Sequence, residues 1–160
     1  MIKALRAVSA GRLLLLAGTA LLCLTSCGFD SEARAIDTAT DSVRSRAELA
    51  RRTAVAVLAD PHTAERDPAG QLAALTGSVG SAERFGTVFA SRSSPDERLE
   101  VDVFYDGTAN GGGFVAAEVH VRLCVRLTGV AEKDPQVTMT DTGCPGIPDG
   151  SDRRIVKLAD

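Results

Sequence analysis

Between Ser31 and Asp60 the apolar residues Ile36, Ala39, Val43, Ala47, Ala50, Ala54, Val57 and Leu58 recur at steps of three and four. That period lines them along one stripe of an α-helix. Ser31 is placed to cap the start, with Glu32 favourable in the first turn. Arg44 and Glu48, and Glu48 and Arg52, fall at i,i+4 on the opposite side. Asp60-Pro61 ends the run, because a residue before proline disfavours helical angles. The stripe is mostly alanine, so this helix can lie close to whatever it covers. Alanine at most seam positions makes a poor coiled-coil zipper.

A polar connector over 61–70 follows, with two prolines and one glycine. Asp67-Pro68 is a helix start signal for a short second helix through Thr76, with Leu72 and Leu75 inward. Gly77-Ser78-Val79-Gly80 then reads as a break.

From Arg84 the period becomes two. Phe85, Thr87 and Phe89 alternate with Arg84, Gly86 and Val88, and Ser93-Ser94-Pro95-Asp96 is a turn signal. Leu99, Val101, Val103 and Tyr105 alternate with Glu100, Asp102 and Phe104. Asp106 to Gly113 reads as a Gly-rich loop. Val115, Ala117, Val119, Val121, Leu123, Val125 and Leu127 alternate with Glu118, His120, Arg122, Cys124 and Arg126. A fourth run, Val137 to Thr142, leads to Cys144. This is the pattern of an antiparallel meander with one apolar and one polar face. Face parity requires odd positions to oppose odd across the Gly loop. Pairing Asp102 with His120 and Glu100 with Arg122 satisfies parity; shifting Asp102 onto Glu118 sets like charges opposite each other. The first register is the expected one.

The expected fold class is therefore α+β: a long N-terminal helix packed on a curved four-stranded antiparallel sheet. The order, helix then meander, is similar to cystatin-like and nuclear-transport-factor-like folds, a likeness of architecture that implies no function. The tail from Ile147 to Asp160 is Pro/Gly-rich and then has a short apolar run, Ile155 to Leu158. It either adds an edge strand or stays free.

The first 26 residues have a different character. Lys3, Arg6 and Arg12 make a positive start with no acid before Asp30, and Leu13 to Leu24 is an apolar run of 12 residues. Spanning a bilayer takes about 20, whereas a secretion-signal core takes about 7–15. The run ends in Leu24-Thr25-Ser26-Cys27. This tetrapeptide resembles the lipobox of bacterial lipoproteins: a branched aliphatic residue, two small residues and a cysteine. The resemblance implies a diacylglyceryl group on the Cys27 sulfur, cleavage before Cys27, and acylation of its amine. Small residues at 25 and 26 suit an extended backbone in a protease groove. A thiol is a good nucleophile for alkylation. Two or three acyl chains anchor stably where one does not. Cys23 is the weaker candidate for the anchor, because Leu21-Leu22 lack the small pair; it leaves with the leader. The expected organisation is a signal peptide over 1–26, a lipidated N-terminus over 27–30, and one α+β domain over 31–160.

Three of the 18 basic residues and none of the 21 acidic ones lie in that leader, so the remainder carries a formal charge of −6. This argues against nucleic acid as a partner and against bulk electrostatic attraction to anionic lipid. Arg outnumbers Lys 15 to 3, the usage of a GC-rich genome such as an actinomycete's. With Cys23 removed and Cys27 lipidated, Cys124 and Cys144 remain, and an even pair in an oxidising compartment reads as one disulfide. A two-thiolate metal site lacks a CxxC and nearby histidines, so no metal or cofactor is expected.

The best acid/base cluster is His120 with Asp102 and Glu118, but an exposed mid-sheet position among Arg122 and Arg126 makes cross-strand charge pairing the simpler reading. Asp106-Gly107-Thr108-Ala109-Asn110-Gly111 partly matches a calcium loop, yet Ala117 stands where a bidentate Glu is needed. Gly111-Gly112-Gly113 lacks the following Lys-Ser/Thr and helix of a phosphate cradle. No Gly-x-Ser-x-Gly elbow surrounds Ser78, Ser93 or Ser94. His62 is simply solvated. Arg44, Arg46, Arg51 and Arg52 alternate with Asp41 and Glu48, as on a solvated helix face. No catalytic residue is assigned. The expectation is a lipid-anchored protein on the extracytoplasmic face of the cell membrane, with a non-enzymatic binding or structural role toward an envelope protein or polymer. The alternative is a small-ligand carrier or enzyme using a sheet–helix pocket.

Overall fold

The computed structural model describes residues 10–80, 86–112, 118–146 and 152–159, with side chains from Ser31 onward. The side chain of Cys27, the strand residues Arg84, Phe85, Val115 and Ala117, and residues 147–151 lie outside the described residues. Among the described residues three helices, α1 (Ala10–Leu58), α2 (Pro61–Ala64) and α3 (Pro68–Val79), precede five strands, β1 (Thr87–Ser93), β2 (Leu99–Asn110), β3 (Glu118–Gly129), β4 (Thr138–Asp141) and β5 (Arg153–Val156). The fold is α+β, with the order β1-β2-β3-β4 antiparallel and β5 added to β3 in parallel. The sheet is not closed into a barrel. Among the described residues no helix is long and apolar enough to cross a membrane.

The expected stripe is the buried face of α1. Ala39, Val43, Ala47, Ala50, Ala54 and Leu58 are at most 1% exposed. They lie on Leu99, Val101, Val103 and Tyr105 of β2 and on Val121, Leu123, Val125 and Leu127 of β3, all 0% exposed. Each such Val or Leu contributes about 1.5–3 kcal/mol by leaving water. Ser31 does not cap α1, because the helix is already continuous upstream of it. Helix α1 runs alongside β3, with Ala39 and Val43 near Gly107 at one end and Leu58 near Gly129 at the other.

Helix α3 packs on the same side, against α1, β1 and β2. Asp67 caps it by accepting a hydrogen bond from Gly70 N at 2.8 Å, and Pro68 takes the first position. The helix runs past the expected break at Gly77 to Val79. Val79 is 0% exposed, so burial of that last turn outweighs the poor helix propensity of glycine.

The β2–β3 register differs from the expected one. Asp102 faces Arg126, Asp106 faces Arg122, and Thr108 faces His120. The parity holds, but the midpoint of the hairpin lies further along the chain, so the five residues Asp106 to Asn110 belong to β2 and not to a loop. Gly107 explains the misreading. A Cβ there would stand 2.7 Å from Val43 Cγ1 and 3.0 Å from Ala39 O. This glycine marks close approach of helix to strand and not a turn.

On β1 a bulge inserts Phe89 between the Val88–Val103 and Ala90–Asp102 pairs. Val88 therefore turns toward the core and Phe89 joins Phe104, with ring centroids 6.2 Å apart. Gly86 precedes the bulge at φ 144, and a Cβ there would lie 2.7 Å from Phe104 O, so no other residue fits.

Gly107→Ala is expected to lower the unfolding free energy by about 1–3 kcal/mol through overpacking. Gly77→Ala, with open space around it, should gain about 0.5–1 kcal/mol from reduced chain entropy. Denaturant titrations check both; equal effects would contradict this packing.

Candidate functional site

The face of the sheet away from the helices carries the even-numbered residues of β2 and β3, and there the register decides the chemistry. Asp102 accepts two hydrogen bonds from Arg126, 2.7 Å from Nε and 3.0 Å from Nη2. Arg92 of β1 approaches the same carboxylate at 3.5 Å and Glu100 at 2.6 Å. Covered by these arginine side chains, Asp102 is only 4% exposed although it points outward. One step along, Asp106 accepts a second fork from Arg122, with both contacts 2.7 Å. The Arg122 guanidinium lies 4.0 Å from the Phe104 ring centroid, a cation–π contact. Arg153 of β5 stands 3.6 Å from Asp106, and Arg46 of α1 donates to its backbone carbonyl.

His120 consequently has no approach to Asp102. It faces Thr108 across the strands, and its nearest acid is Glu118 at 3.8 Å, two residues away on its own strand. The acid/base cluster is corrected to a charge ladder of planar Arg–carboxylate forks, which hold register and orientation. Glu100, expected opposite Arg122, instead pairs with Arg92 and lies 3.8 Å from Arg126. The calcium-loop reading of Asp106 to Gly111 ends likewise, since Asp106, Thr108 and Asn110 are strand residues. Among the described residues no group of His, Cys, Asp or Glu is arranged to hold a metal ion.

The remaining candidates sit in local structure. Ser78 donates to Leu75 O at 2.7 Å within α3, and Ser94 bonds Asp96 in the β1–β2 turn. The backbone N–H of His62 donates to the Asp60 carboxylate at 3.0 Å at the start of α2. Glu48 pairs with Arg51 at 2.7 Å and Arg52 at 3.9 Å, while Arg44 donates to Lys157 O at 2.8 Å.

Cys124 and Cys144 form the expected disulfide, with Cα atoms 5.4 Å apart. Cys124 lies on the outward face opposite Phe104 and is 3% exposed. The bond holds the chain where β4 ends and turns back toward β5. Strand β5 pairs His120 to Leu123 with Arg153 to Val156, so the tail adds a strand. It is tied to α1 by Arg154–Glu32 at 2.7 Å and by Arg44–Lys157 O, and to β4 by Leu158 N donating to Asp141 Oδ1 at 3.0 Å. Sequence reasoning missed these ties because each joins residues distant along the chain.

The helix–sheet interface is filled along most of its length. At the hairpin end it opens into a groove of about 400 Å³ lined by Ser31, Arg34, Ala35 and Thr38 of α1 and Ala109, Asn110 and Gly112 of the hairpin. Thr38 Oγ1 donates to Arg34 O at 2.8 Å. The Arg34 guanidinium makes no ion pair among the described residues. No periodicity of the sequence could announce this groove, because it forms between two elements distant along the chain.

No family model, no curated protein and no solved structure matches this chain.

Two outcomes follow from the outer face. Burial pulls the Asp106 carboxyl up, but the Arg122 hydrogen bonds and the charges of Arg122, Arg153 and Arg46 outweigh it and hold the group below its ordinary value. A carboxylate so held contributes stability above its unfolded pKa and loses it as pH falls through the folded value. The stability gap between wild type and Asp106→Asn should be full above about pH 5 and close below about pH 4; thermal melts across that range check it, and a gap that widens in acid contradicts it. Cys144→Ser should cost about 2–4 kcal/mol by the loop-closure argument, read as a shifted denaturant midpoint; an unchanged midpoint would count against the bond.

Proposed function

We propose that the chain is an extracytoplasmic lipoprotein, tethered to the cell membrane through lipid on Cys27, whose α+β domain has a non-enzymatic binding or structural role in the envelope. The observation that carries this reading is the coincidence at the N-terminus of Lys3, Arg6 and Arg12, a 12-residue apolar run and Leu24-Thr25-Ser26-Cys27. Support comes from the Cys124–Cys144 disulfide, which suits an oxidising compartment. The outward charges of β2 and β3 are spent on one another, which suits a braced scaffold more than a site of proton transfer. The membrane partner is reached through the anchor; the envelope partner is a protein or a polymer and not a nucleic acid, given the acidic balance. A second reading, a small-ligand carrier or enzyme, is favoured by one observation, the groove between α1 and the hairpin.

Labelled palmitate should enter the wild-type protein, and its intact mass should correspond to a chain beginning at Cys27 plus a diacylglyceryl group. Cys27→Ser should lose the label and stay unprocessed or be shed. A mature N-terminus elsewhere with a free thiol at 27 would overturn the proposal.

A further inference from the structure

On the edge of β3 away from β2, β5 covers His120 to Leu123 with Arg153 to Val156, running parallel. Strand and cover are held very differently. Val121 and Leu123 are 0% exposed, whereas no residue from Arg153 to Leu158 is buried and Ile155 is 50% exposed. Parallel pairing is also slightly weaker per residue than antiparallel. The Arg154–Glu32 pair joins side chains 55% and 46% exposed, and an exposed ion pair adds little. The disulfide stops short of β5, at Cys144. An element with so few buried contacts opens well before the domain unfolds. When β5 lifts, it bares backbone N–H and C=O groups of β3, which are a template for another strand.

The present occupant shows what this edge reads. Arg153 reaches Asp106 at 3.6 Å, a carboxylate shared with Arg122. Arg154 pairs with Glu32 of α1 at 2.7 Å. Val156 and Leu158 pack against the core. Arg44 donates to Lys157 O at 2.8 Å, and Leu158 N donates to Asp141 Oδ1 at 3.0 Å; these backbone contacts are open to any sequence. The requirement is therefore two basic residues in an extended segment, with aliphatic side chains at the second and fourth places after them. Resting on the binding role above, we propose that this edge of β3 is a strand-addition site for an extended basic–aliphatic segment of an envelope protein, and that β5 is the chain's own stand-in, displaced by that partner. The acidic balance of the chain favours so basic a segment. Tethered beside its slot, β5 competes at an effective concentration roughly in the millimolar range. A partner must therefore match the slot better or add contacts outside it.

The test uses the mature, lipidated chain in detergent, with a fluorescent peptide of the sequence Asp152 to Ala159 added in trans. Two variants of the full chain, Arg154→Glu and Glu32→Arg, each loosen the resident tail with little change in thermal midpoint. Expected is saturable binding about fivefold tighter to the Arg154→Glu chain than to wild type, with backbone amide shifts at His120 to Leu123 and at Asp141 by NMR. A reversed peptide carrying Arg154→Glu should bind that chain about fivefold more weakly than the native peptide, and the Glu32→Arg chain should prefer the reversed peptide. In wild type, hydrogen exchange at Leu158 N should be at least about tenfold faster than at Val125 and Leu127. No saturable binding at millimolar peptide, the same order of preference in both variants, shifts confined to other strands, or Leu158 N exchanging only with the core would overturn the proposal. Wild-type dimers abolished by Glu32→Arg would overturn it too, assigning the edge to a second copy's tail. Intact mass on the same sample separates the failures: lipid present without peptide binding removes only the strand-addition site, whereas charge-matched binding by a chain without lipid leaves that site and removes the anchor.

Discussion

The pairing of β2 with β3 is the constraint on which the rest of this molecule depends. Twelve residues of each strand are aligned, from Leu99 opposite Gly129 to Asn110 opposite Glu118. The alignment gives α1 an unbroken apolar floor on one side. On the other it brings Asp102 to Arg126 and Asp106 to Arg122 as two planar forks. A slip by one residue would exchange the faces. A slip by two would keep them but separate both forks. Charge thus selects among registers that burial alone leaves equivalent.

Alanine sets the second condition. The Ala39, Ala47, Ala50 and Ala54 stripe lets the helix approach the sheet closely enough that Gly107 has no room for a side chain. The interface is consequently dense along this stripe, and a groove opens beside the stretch from Ser31 to Thr38. The C-terminal tail closes the other side of β3: the disulfide holds its turn, and Arg154–Glu32 and Arg44–Lys157 O tie β5 back to the helix. Helix, hairpin and tail therefore meet at one end of the domain, the end next to Cys27.

Much of this was legible in the chain. The helical stripe, the alternating strands, the parity of their faces and the Cys124–Cys144 pair all rest on local periodicity or counting, and such signals survive folding unchanged. The register did not. Gly107, read as part of a loop, is a point of contact with Val43 and Ala39, information that resides in another element. Placing the turn too early put Asp102 beside His120 and created an acid/base pair on paper. The Phe89 bulge was hidden for a similar reason, since one extra residue reverses the alternation without altering composition. Helix α3 outlasts Gly77 because of where Val79 ends up. The groove has no sequence signal, and Arg34 is distinguished only by its neighbours in space.

The most direct test of the account is the cross-strand proton contact map of β2 and β3 by NMR in solution. Close contacts are predicted between residues 102 and 126, 106 and 122, and 108 and 120. Contacts between 102 and 120 with none between 102 and 126 would contradict it, restoring the His–Asp pair and dismantling the ladder, the close approach at Gly107 and the groove together.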